Sequence, residues 1–446
     1  MPKLPNLPKL RELALECLLQ KAGNTPFPVL LEKAFAQIPA HGHSSQDRAC
    51  LMALCYGVLR NAGLLKQICL SHCKKKPGPA METCLCLALF EIFFMNKSEY
   101  AVVNEYANLI KKREGQSKAH AVNAILRTIL KNKNTAAENL AHYQEQIKTK
   151  IPDNRIPNKK ALRKLHQLAD LSELFTNNIH KSFYQLLAEE SFYAPIPSFR
   201  LNPQKNELPQ HAELFSQSIV FFPEQKTQER AQEQILPLAE QGILSRQGVS
   251  SALFAEKIAA FIQEKNLGTA PLWDMCCGRG GKSLALLEKN IRVSMVSEPN
   301  SERLEAFKTQ LSRLGLPSPQ IMEGLAEKMA QDRKFPLILL DSPCSTSGTI
   351  ARNPEVKYRI SEESLAEISL IQEKLLRLAA EHLEDKGCLF YCTCSVFECE
   401  NKEQIKKLLA EVPAMHCLHE EYLVPSRLNP VFKGHDILYF AILQKE

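Results

Sequence analysis

From residue 248 onwards the chain alternates short apolar runs with longer amphipathic stretches, and this alternation limits the possible folds more than any other feature. The apolar runs indicate buried strands at Leu272–Cys276, Val293–Val296, Leu337–Leu340 and Cys388–Cys392. Helical patterns lie between them, at Lys282–Glu288, Ser301–Leu314 and Glu362–Leu383. Strands that alternate with helices favour a doubly wound parallel sheet. We therefore predict an α/β, Rossmann-like domain over residues 248–446, with a partly antiparallel last strand at Leu438–Leu443.

The first 133 residues show a helical pattern instead. Apolar residues recur there at i, i+3 and i+4 and glycines are few, which is typical of an all-α bundle. The predicted helices are Leu10–Lys21, Pro28–Gln37, Asp47–Asn61, Leu64–Ser71, Ala80–Met95, Ala101–Arg113 and Lys118–Lys131. Residues 134–193 are charged and weakly patterned, which predicts a linker with some helix. Residues 194–247 carry prolines and short β-like pieces, which predicts a small α+β region.

Composition narrows the class of protein. The chain has 446 residues, of which 45% are hydrophobic and 24% are charged, as in an ordinary globular protein of roughly two or three domains. The N-terminus does not resemble a signal peptide and no apolar run reaches about 18 residues, so we predict a cytoplasmic protein with no membrane partner. The 15 cysteines form no C-x-x-C pair, which favours reduced thiols and no bound metal. A net charge of +7 permits a polyanionic partner without requiring one.

A strand, a glycine-rich turn and a helix start follow one another over Leu272–Ser283. Glycines let the backbone approach a ligand closely, and the free amides of a helix N-terminus bind anions. The P-loop pattern fails because Cys276 occupies the position of its first glycine, and the G-x-G-x-x-G spacing fails as well. The next strand ends at Glu298, whose carboxylate can accept hydrogen bonds from ribose hydroxyls. S-adenosylmethionine fits such a corner, and an ordinary glycine turn with a surface glutamate remains the alternative.

Two short motifs each place a cysteine directly after a predicted strand. They are Asp341-Ser-Pro-Cys344 and Thr393-Cys394-Ser395. Both thiols should lie at the carboxyl ends of strands in one parallel sheet, where open α/β sheets build their active sites. A thiolate can add to C6 of a cytosine, which makes C5 nucleophilic enough to accept a methyl group. From the residues alone, buried core thiols, a redox pair and a thioester-forming site remain open as well.

The segment Asp341–Lys357, together with Tyr391–Val396, closely resembles the Fmu/Sun (RsmB-type) family of ribosomal RNA (cytosine-5)-methyltransferases. The segments Asp47–Arg60, Val103–Glu105 and Val122–Arg127 look like the helical NusB-like domain that this family carries at its N-terminus. The resemblance covers nearly the whole chain. It implies a multidomain protein, with an all-α NusB-like RNA-binding domain over residues 1–133 followed by a class I S-adenosylmethionine-dependent methyltransferase domain.

The resemblance also implies a role for each matched residue. Cys394 would be the nucleophile on C6, Cys344 would assist release of the product, and Asp341 would sit between base and cofactor. Glu298 would bind the ribose hydroxyls of S-adenosylmethionine. The other cofactor contacts would come from Asp341 and from the glycine-rich loop with its flanks, namely Cys276, Cys277, Gly278, Arg279, Gly280, Gly281 and Lys282.

The resemblance therefore implies an enzyme that methylates a cytosine of 16S small-subunit ribosomal RNA at carbon 5, through a covalent Cys394–C6 adduct. We expect RNA as its partner and a monomer as its state. One alternative keeps the chemistry and moves the target to transfer RNA. Another is a non-catalytic RNA-binding or ribosome-assembly factor whose cofactor loop has decayed.

Five positions depart from the family pattern. Gly278 and Arg279 stand where alanine and proline are usual in the loop, and Glu298 stands where aspartate is usual. Gly248 follows Gln247 where a Gln-Asp pair is common. An aspartate expected beside the adenine is missing near Gly324-Leu325-Ala326. The changes in the loop and beside the adenine predict altered cofactor recognition, whereas Glu298 should be tolerated. Arg279 and the missing aspartate are the basis of the non-catalytic alternative.

Overall fold

The computed structural model describes residues 7–38 except 22 and 24, 45–133, 138, 167–205 except 180, 208–222 except 210 and 211, 235–328 and 333–446. The chain divides into two compact units. The helical unit comprises residues 1–177, 181–193 and 353–360, and the sheet unit comprises residues 178–180, 194–352 and 361–446. The segment 353–360, which follows the first cysteine motif, therefore belongs to the helical unit.

The bundle predicted for the first 133 residues is present. Its helices are α1 (Leu7–Leu19), α2 (Phe27–Phe35), α3 (Ser45–Ser71), α4 (Pro79–Phe93), α5 (Glu99–Glu114) and α6 (Gln116–Lys131). The helix α4 is buried on all sides from Ala80 to Ile92, as expected for a helix at the centre of a bundle. It carries Glu91, which accepts hydrogen bonds from Arg11 at 2.6 Å and from the Tyr106 hydroxyl at 2.6 Å.

The prediction of two helices over residues 47–71 is wrong, because α3 is continuous through Gly63. A Cβ atom at Gly63 would lie 2.2 Å from the carbonyl oxygen of Leu168. The glycine therefore allows another chain segment to approach the helix closely, and it does not end the helix.

Most of the predicted linker lies outside the described residues, which include only residue 138 between 134 and 166. The rest of it contains α7 (Glu173–Asn178) and α8 (Lys181–Glu190). Asp170 accepts hydrogen bonds from Lys66 at 2.9 Å and from the Tyr358 hydroxyl at 2.5 Å. The Lys357 amine donates to the carbonyl of Ala169 at 3.0 Å. These bonds hold the segment 353–360 within the helical unit.

The sheet unit contains two sheets. A small antiparallel sheet has the order β2-β3-β1-β4, and a seven-stranded sheet has the order β10-β11-β9-β8-β5-β6-β7. The small sheet consists of β1 (Ser198–Leu201), β2 (Glu213–Leu214), β3 (Ile219–Phe221) and β4 (Leu244–Arg246). The large sheet consists of β5 (Leu272–Asp274), β6 (Val293–Glu298), β7 (Gln320–Glu323), β8 (Phe335–Asp341), β9 (Leu383–Thr393), β10 (Met415–Leu423) and β11 (Leu438–Lys445).

The predicted doubly wound sheet is confirmed. Strands β9, β8, β5, β6 and β7 pair in parallel, and β11 pairs with β9 in antiparallel orientation, as the closing strand was predicted to do. Sequence patterns did not predict β7 and β10. Both lie at an edge of the sheet, and most of their side chains are at least partly exposed, so neither presents the continuous apolar run of a central strand.

Helices cover both faces of the large sheet. They are α9 (Val249–Glu264), α10 (Gly281–Glu288), α11 (Ser301–Leu314), α12 (Glu362–His382), α13 (Lys402–Glu411) and α14 (Pro425–Leu428). One apolar core includes Phe254, Phe307 and Phe390, and the other includes Trp273 and Tyr391. The chain runs from β5 through β6 to β7 in one direction and then returns to β8 on the other side of β5. Ligands of such sheets bind at the carboxyl ends of the strands where the order reverses, which is here between β5 and β8.

Candidate active site

The two predicted cysteines lie side by side at this crevice. Strands β8 and β9 pair in parallel with Asp341 opposite Cys392, so the motifs that follow them emerge next to each other. The Sγ atoms of Cys344 and Cys394 are 3.2 Å apart. The hydrogen bond with Cys394 and burial raise the pKa of Cys344 well above its ordinary value. Cys344 is therefore a thiol that can donate its proton to the sulfur of Cys394.

A buried glutamate, which sequence analysis missed, holds the two cysteine loops together. Glu400 accepts hydrogen bonds from the Ser345 amide at 2.8 Å, from the hydroxyls of Ser345 and Ser395, and from Gln372 at 3.1 Å. These four bonds satisfy a carboxylate that is fully shielded from solvent. The sequence signal was a carboxylate six residues after Cys394, on the short turn Glu398–Glu400.

Backbone contacts fix the same two loops. The Gly348 amide donates to the Cys394 carbonyl at 2.9 Å, and the Ile437 amide donates to the Gly348 carbonyl at 2.9 Å. A Cβ atom at Gly348 would lie 2.3 Å from the Ile437 carbonyl oxygen, so this approach requires glycine. On the other side, Asn401 donates to the Ser395 carbonyl at 2.9 Å.

Asp341 faces the crevice and accepts hydrogen bonds from a partly buried amine and a buried thiol. The Lys282 amine donates to its Oδ2 at 2.6 Å, and the Cys392 thiol donates to its Oδ1 at 3.3 Å. Burial alone would lower the pKa of Lys282, but the negative charge of Asp341 raises it above the ordinary value. Burial and Asp341 also raise the pKa of Cys392 well above normal, so Cys392 stays a thiol. The Asp341 side chain remains 33% exposed, which leaves one edge of the carboxylate open.

The glycine-rich loop between β5 and α10 has the form of a cofactor loop. Gly278 and Gly280 have φ angles of +55° and +81°, which favour glycine. A Cβ atom at Gly280 would strike the Phe307 ring at 2.1 Å, whereas one at Gly278 would meet no atom within 4 Å. Gly280 therefore packs against the protein, and the backbone at Gly278 faces open space that a ligand can approach.

Two buried carboxylates hold this loop in place. Glu298, the predicted ribose ligand, accepts hydrogen bonds from the amides of Gly278 at 3.0 Å and of Asn300 at 3.1 Å. Asp274, which sequence analysis did not single out, accepts from the Ser283 hydroxyl and from the Cys276 amide. Burial raises the pKa of Asp274 to about 7. The loop geometry, the open backbone at Gly278 and the carboxylate at the end of β6 fit an S-adenosylmethionine molecule.

The turn after β7 is the segment where sequence analysis found no adenine-binding aspartate. Leu325 is 49% exposed where an aspartate was expected. Glu327 follows it on the turn Ala326–Lys328 and is the next carboxylate along the chain.

Two wider observations concern the part of the chain that the structure describes. None of its helices is both long and apolar enough to cross a membrane. Within the same residues, no three His, Cys, Asp or Glu side chains form a group that could hold a metal ion.

The chain matches known proteins over most of its length. Residues 262–438 match a family model described as 16S rRNA methyltransferase RsmB/F, and residues 8–131 match a model of the NusB family. Proteins of Shewanella oneidensis and Vibrio cholerae, both named ribosomal RNA small subunit methyltransferase B, are each 26% identical to this chain. The alignments cover 91% and 90% of this chain, respectively, and 90% of each relative.

Solved structures share the fold. The crystal structure of PH0851 has a TM-score of 0.66 with 18% sequence identity, and it covers 99% of this chain and 100% of its own. A methyltransferase homolog protein from Pyrococcus horikoshii has a TM-score of 0.51 with 19% identity, over 64% of this chain and 99% of its own. The order predicted from sequence, a NusB-like helical region followed by an α/β methyltransferase domain, is confirmed. The chain thus combines an N-terminal region that matches the NusB family with an S-adenosylmethionine-dependent methyltransferase domain that matches the RsmB/F family model.

Proposed function

We propose that this protein is an RNA (cytosine-5)-methyltransferase that modifies a cytosine of 16S ribosomal RNA through a covalent adduct between Cys394 and C6. The observation that carries the proposal is the pair of thiols, 3.2 Å apart, at the ends of adjacent strands. Beside them, the Asp341 carboxylate has one open edge. The choice of RNA target is supported by the family model and by relatives named ribosomal RNA small subunit methyltransferase B.

The reaction begins and ends at the sulfur of Cys394. The Cys394 thiolate adds to C6, and the electron pair of the C5–C6 double bond makes C5 nucleophilic. S-adenosylmethionine supplies an electrophilic methyl group on its sulfonium, which C5 takes up. A base then removes the C5 proton, the double bond re-forms, and the C6–S bond breaks to release Cys394.

Asp341 and Cys344 serve this sequence in different ways. The open edge of Asp341 accepts the exocyclic N4 amine and holds the pyrimidine in place, while Lys282 and Cys392 fix the orientation of the carboxylate. Cys344 keeps a proton next to the sulfur of Cys394 and can share it as that sulfur leaves C6. Loss of Cys344 should therefore slow release more than attack.

The test is methyl transfer from labelled S-adenosylmethionine to unmodified 16S ribosomal RNA, followed by nucleoside analysis. The wild type should form 5-methylcytosine, and Cys394→Ala should form none while binding S-adenosylmethionine normally. Cys344→Ala should accumulate a covalent protein–RNA complex that survives denaturation. The matched control is Cys417→Ala, because Cys417 is an exposed thiol on β10.

Other results would redirect the proposal. Product on transfer RNA but not on 16S ribosomal RNA would keep the chemistry and change the target. A folded wild type that binds RNA and methylates neither would favour the non-catalytic assembly factor. Full activity of Cys394→Ala would remove this residue from the nucleophilic role.

A further inference from the structure

A cavity of about 520 Å³ lies beside the candidate active site, entirely within the sheet unit. Arg279 of the glycine-rich loop forms part of its wall, and Arg246 and Gly248 at the end of β4 form another part. His435 and Asp436 also line it, and the remaining lining residues are Pro195, Ile196, Pro197, Ser198, Gln247 and Arg352. His435 and Asp436 directly precede Ile437, whose amide binds Gly348 in the loop that holds Cys394. The cavity is thus bounded by chain segments that also build the cofactor corner and the cysteine pair.

The wall of this cavity is positively charged. It contains the guanidinium groups of Arg246, Arg279 and Arg352 and the single carboxylate of Asp436, which pairs with Arg352 at 2.7 Å. Burial and the charge of Arg352 lower the pKa of His435 to about 4, so this imidazole is neutral near pH 7. The lining therefore carries two net positive charges, and Arg246 and Arg279 supply them without a carboxylate partner in the wall.

Two departures from the family pattern contribute to this charge. Arg279 adds a guanidinium where proline is usual, and Gly248 removes the carboxylate of a common aspartate. A Cβ atom at Gly248 would lie 3.8 Å from the Asp436 carboxylate, so an aspartate there would bring a second negative charge to the same wall. Both changes make the cavity a better site for an anion.

The cavity wall is held in place by buried bonds. Gln247, next to Arg246, donates to the Gly281 carbonyl at 3.1 Å, and Arg200 of β1 donates to the same carbonyl at 3.2 Å. Arg200 also pairs with Glu288 of α10 at 2.6 Å, and both side chains are buried. This network fixes the end of β4 against the glycine-rich loop. In addition, the buried Nε2 of His435 has no hydrogen-bond partner among the described residues, so it is available to a ligand.

We propose that this cavity binds a backbone phosphate of the RNA strand that carries the target cytosine. The inference rests on the proposed function and names the part of the substrate that the cavity holds. Guanidinium groups match phosphate oxygens in geometry and charge, and phosphate contacts are the usual means of setting a nucleic acid in register. Arg246 and Arg279 would anchor the phosphate and so help to set the target base opposite Cys394.

The test measures binding of a labelled single-stranded RNA that contains one cytosine, without methyl transfer, over a range of salt concentrations. Arg246→Gln and Arg279→Gln should each raise the RNA Kd about fivefold near 0.1 M salt. Each should also reduce the slope of log K against log salt by about 0.7, the value for one phosphate contact to a single strand. Arg292→Gln is the matched control, because Arg292 is exposed and is not part of the cavity wall, and it should change neither quantity.

Two further arms identify the anion. RNA of the same sequence with uncharged methylphosphonate linkages should bind the wild type and both variants equally. The Kd of S-adenosylmethionine for Arg246→Gln should stay within about twofold of the wild type. The assignment is overturned if both variants keep the wild-type salt slope for RNA binding, or if methylphosphonate RNA still binds the variants more weakly than the wild type. It is also overturned if Arg279→Gln loses affinity for S-adenosylmethionine but not for RNA, because its guanidinium would then bind the cofactor carboxylate. None of these binding measurements depends on catalysis. If the proposed reaction is wrong, RNA binding should still respond to the two substitutions while the separate methylation assay gives no product.

Discussion

The helical unit and the sheet unit each contain a carboxylate that is held by a cation and by one further donor. In the helical unit, Glu91 accepts from Arg11 at 2.6 Å and from the Tyr106 hydroxyl. In the sheet unit, Asp341 accepts from Lys282 at 2.6 Å and from the Cys392 thiol. Burial and the neighbouring carboxylate raise the pKa of both Tyr106 and Cys392 well above normal, so both remain protonated donors.

The two triads differ in what they leave open. The Glu91 side chain is 1% exposed, and all its partners are protein groups that pack the bundle. The Asp341 side chain is 33% exposed, at the carboxyl end of β8, where ligands of doubly wound sheets bind. A carboxylate whose partners are all buried protein groups contributes to stability, whereas a carboxylate with one exposed edge can also bind a substrate. Carboxylate-to-amide substitutions at the two positions should therefore have opposite consequences.

The largest effect is expected from Asp341→Asn. The amide of asparagine can point its N–H group toward the exocyclic amine of cytosine or toward the Lys282 amine, and in either case a donor faces a donor. Methyl transfer should therefore fall by about a thousandfold. Stability should fall by no more than about 1–2 kcal/mol, because the Asp341 side chain is 33% exposed and water in the open crevice can solvate the Lys282 amine. Single-turnover methylation and unfolding followed by the fluorescence of Trp273, the only tryptophan in the chain, measure the two quantities. Near-normal turnover would show that methyl transfer does not need the Asp341 carboxylate.

Glu91→Gln is the matched substitution in the helical unit. It leaves Arg11 buried without a counter-charge, which should cost about 3–5 kcal/mol of unfolding free energy. Denaturant unfolding followed by far-UV circular dichroism should detect an earlier helical transition, while the Trp273 fluorescence transition and S-adenosylmethionine binding should stay where they are. Glu99→Gln is the control, since its ion pair with Lys133 is about half exposed and should be worth less than about 1 kcal/mol. If Glu99→Gln were as damaging as Glu91→Gln, burial would not be the cause.

Glu400→Gln tests whether a closed carboxylate in the sheet unit can also serve catalysis. Its role is to position the two cysteine loops, so the variant should lower the rate of methyl transfer about tenfold at saturating RNA, with little change in KM. The direct readout is the rate at which a mild oxidant joins Cys344 to Cys394, which should fall because the sulfur atoms no longer stay 3.2 Å apart. Equal oxidation rates in wild type and variant would assign Glu400 to stability alone.

The last prediction concerns the pH dependence of stability. The pKa of His435 is lowered to about 4 by burial and by Arg352, so the unfolded chain binds an extra proton between about pH 6.5 and 4. Stability that depends on neutral His435 is thus complete above pH 6.5 and is lost as the pH falls toward 4. The difference in unfolding free energy between wild type and His435→Gln should shrink in that window by at most about 1.4 kcal/mol per pH unit. Asp274 has a raised pKa, which makes stability change with pH in the opposite direction, but it is present in both proteins and its contribution cancels in the difference. A difference that stays constant between pH 6.5 and 4 would show that the pKa of His435 is not lowered in the folded protein.

Local patterns predicted most elements of the sheet unit, although they missed the edge strands β7 and β10 and the buried carboxylates Asp274 and Glu400. Four parallel strands, the closing antiparallel strand and the helices between them follow from apolar periodicity, because a buried strand needs a continuous apolar run and a covering helix needs one apolar face. The positions of Cys344 and Cys394 after predicted strands indicate that both thiols lie at one edge of the sheet. The prediction that α3 is interrupted near Gly63 is wrong because a local pattern cannot show that this glycine makes room for the distant Leu168 carbonyl.

Tertiary structure alone decided how these groups meet. The 3.2 Å separation of the two sulfur atoms depends on the register of β8 and β9, and the four bonds of Glu400 join segments up to 55 residues apart. The placement of residues 353–360 in the helical unit, and the meeting of Arg246 with Arg279 in one cavity, likewise arise from contacts between distant parts of the chain. Amino-acid patterns record which side of an element is buried, but not which distant group it will contact. Geometry at the ångström scale therefore had to come from the packed fold.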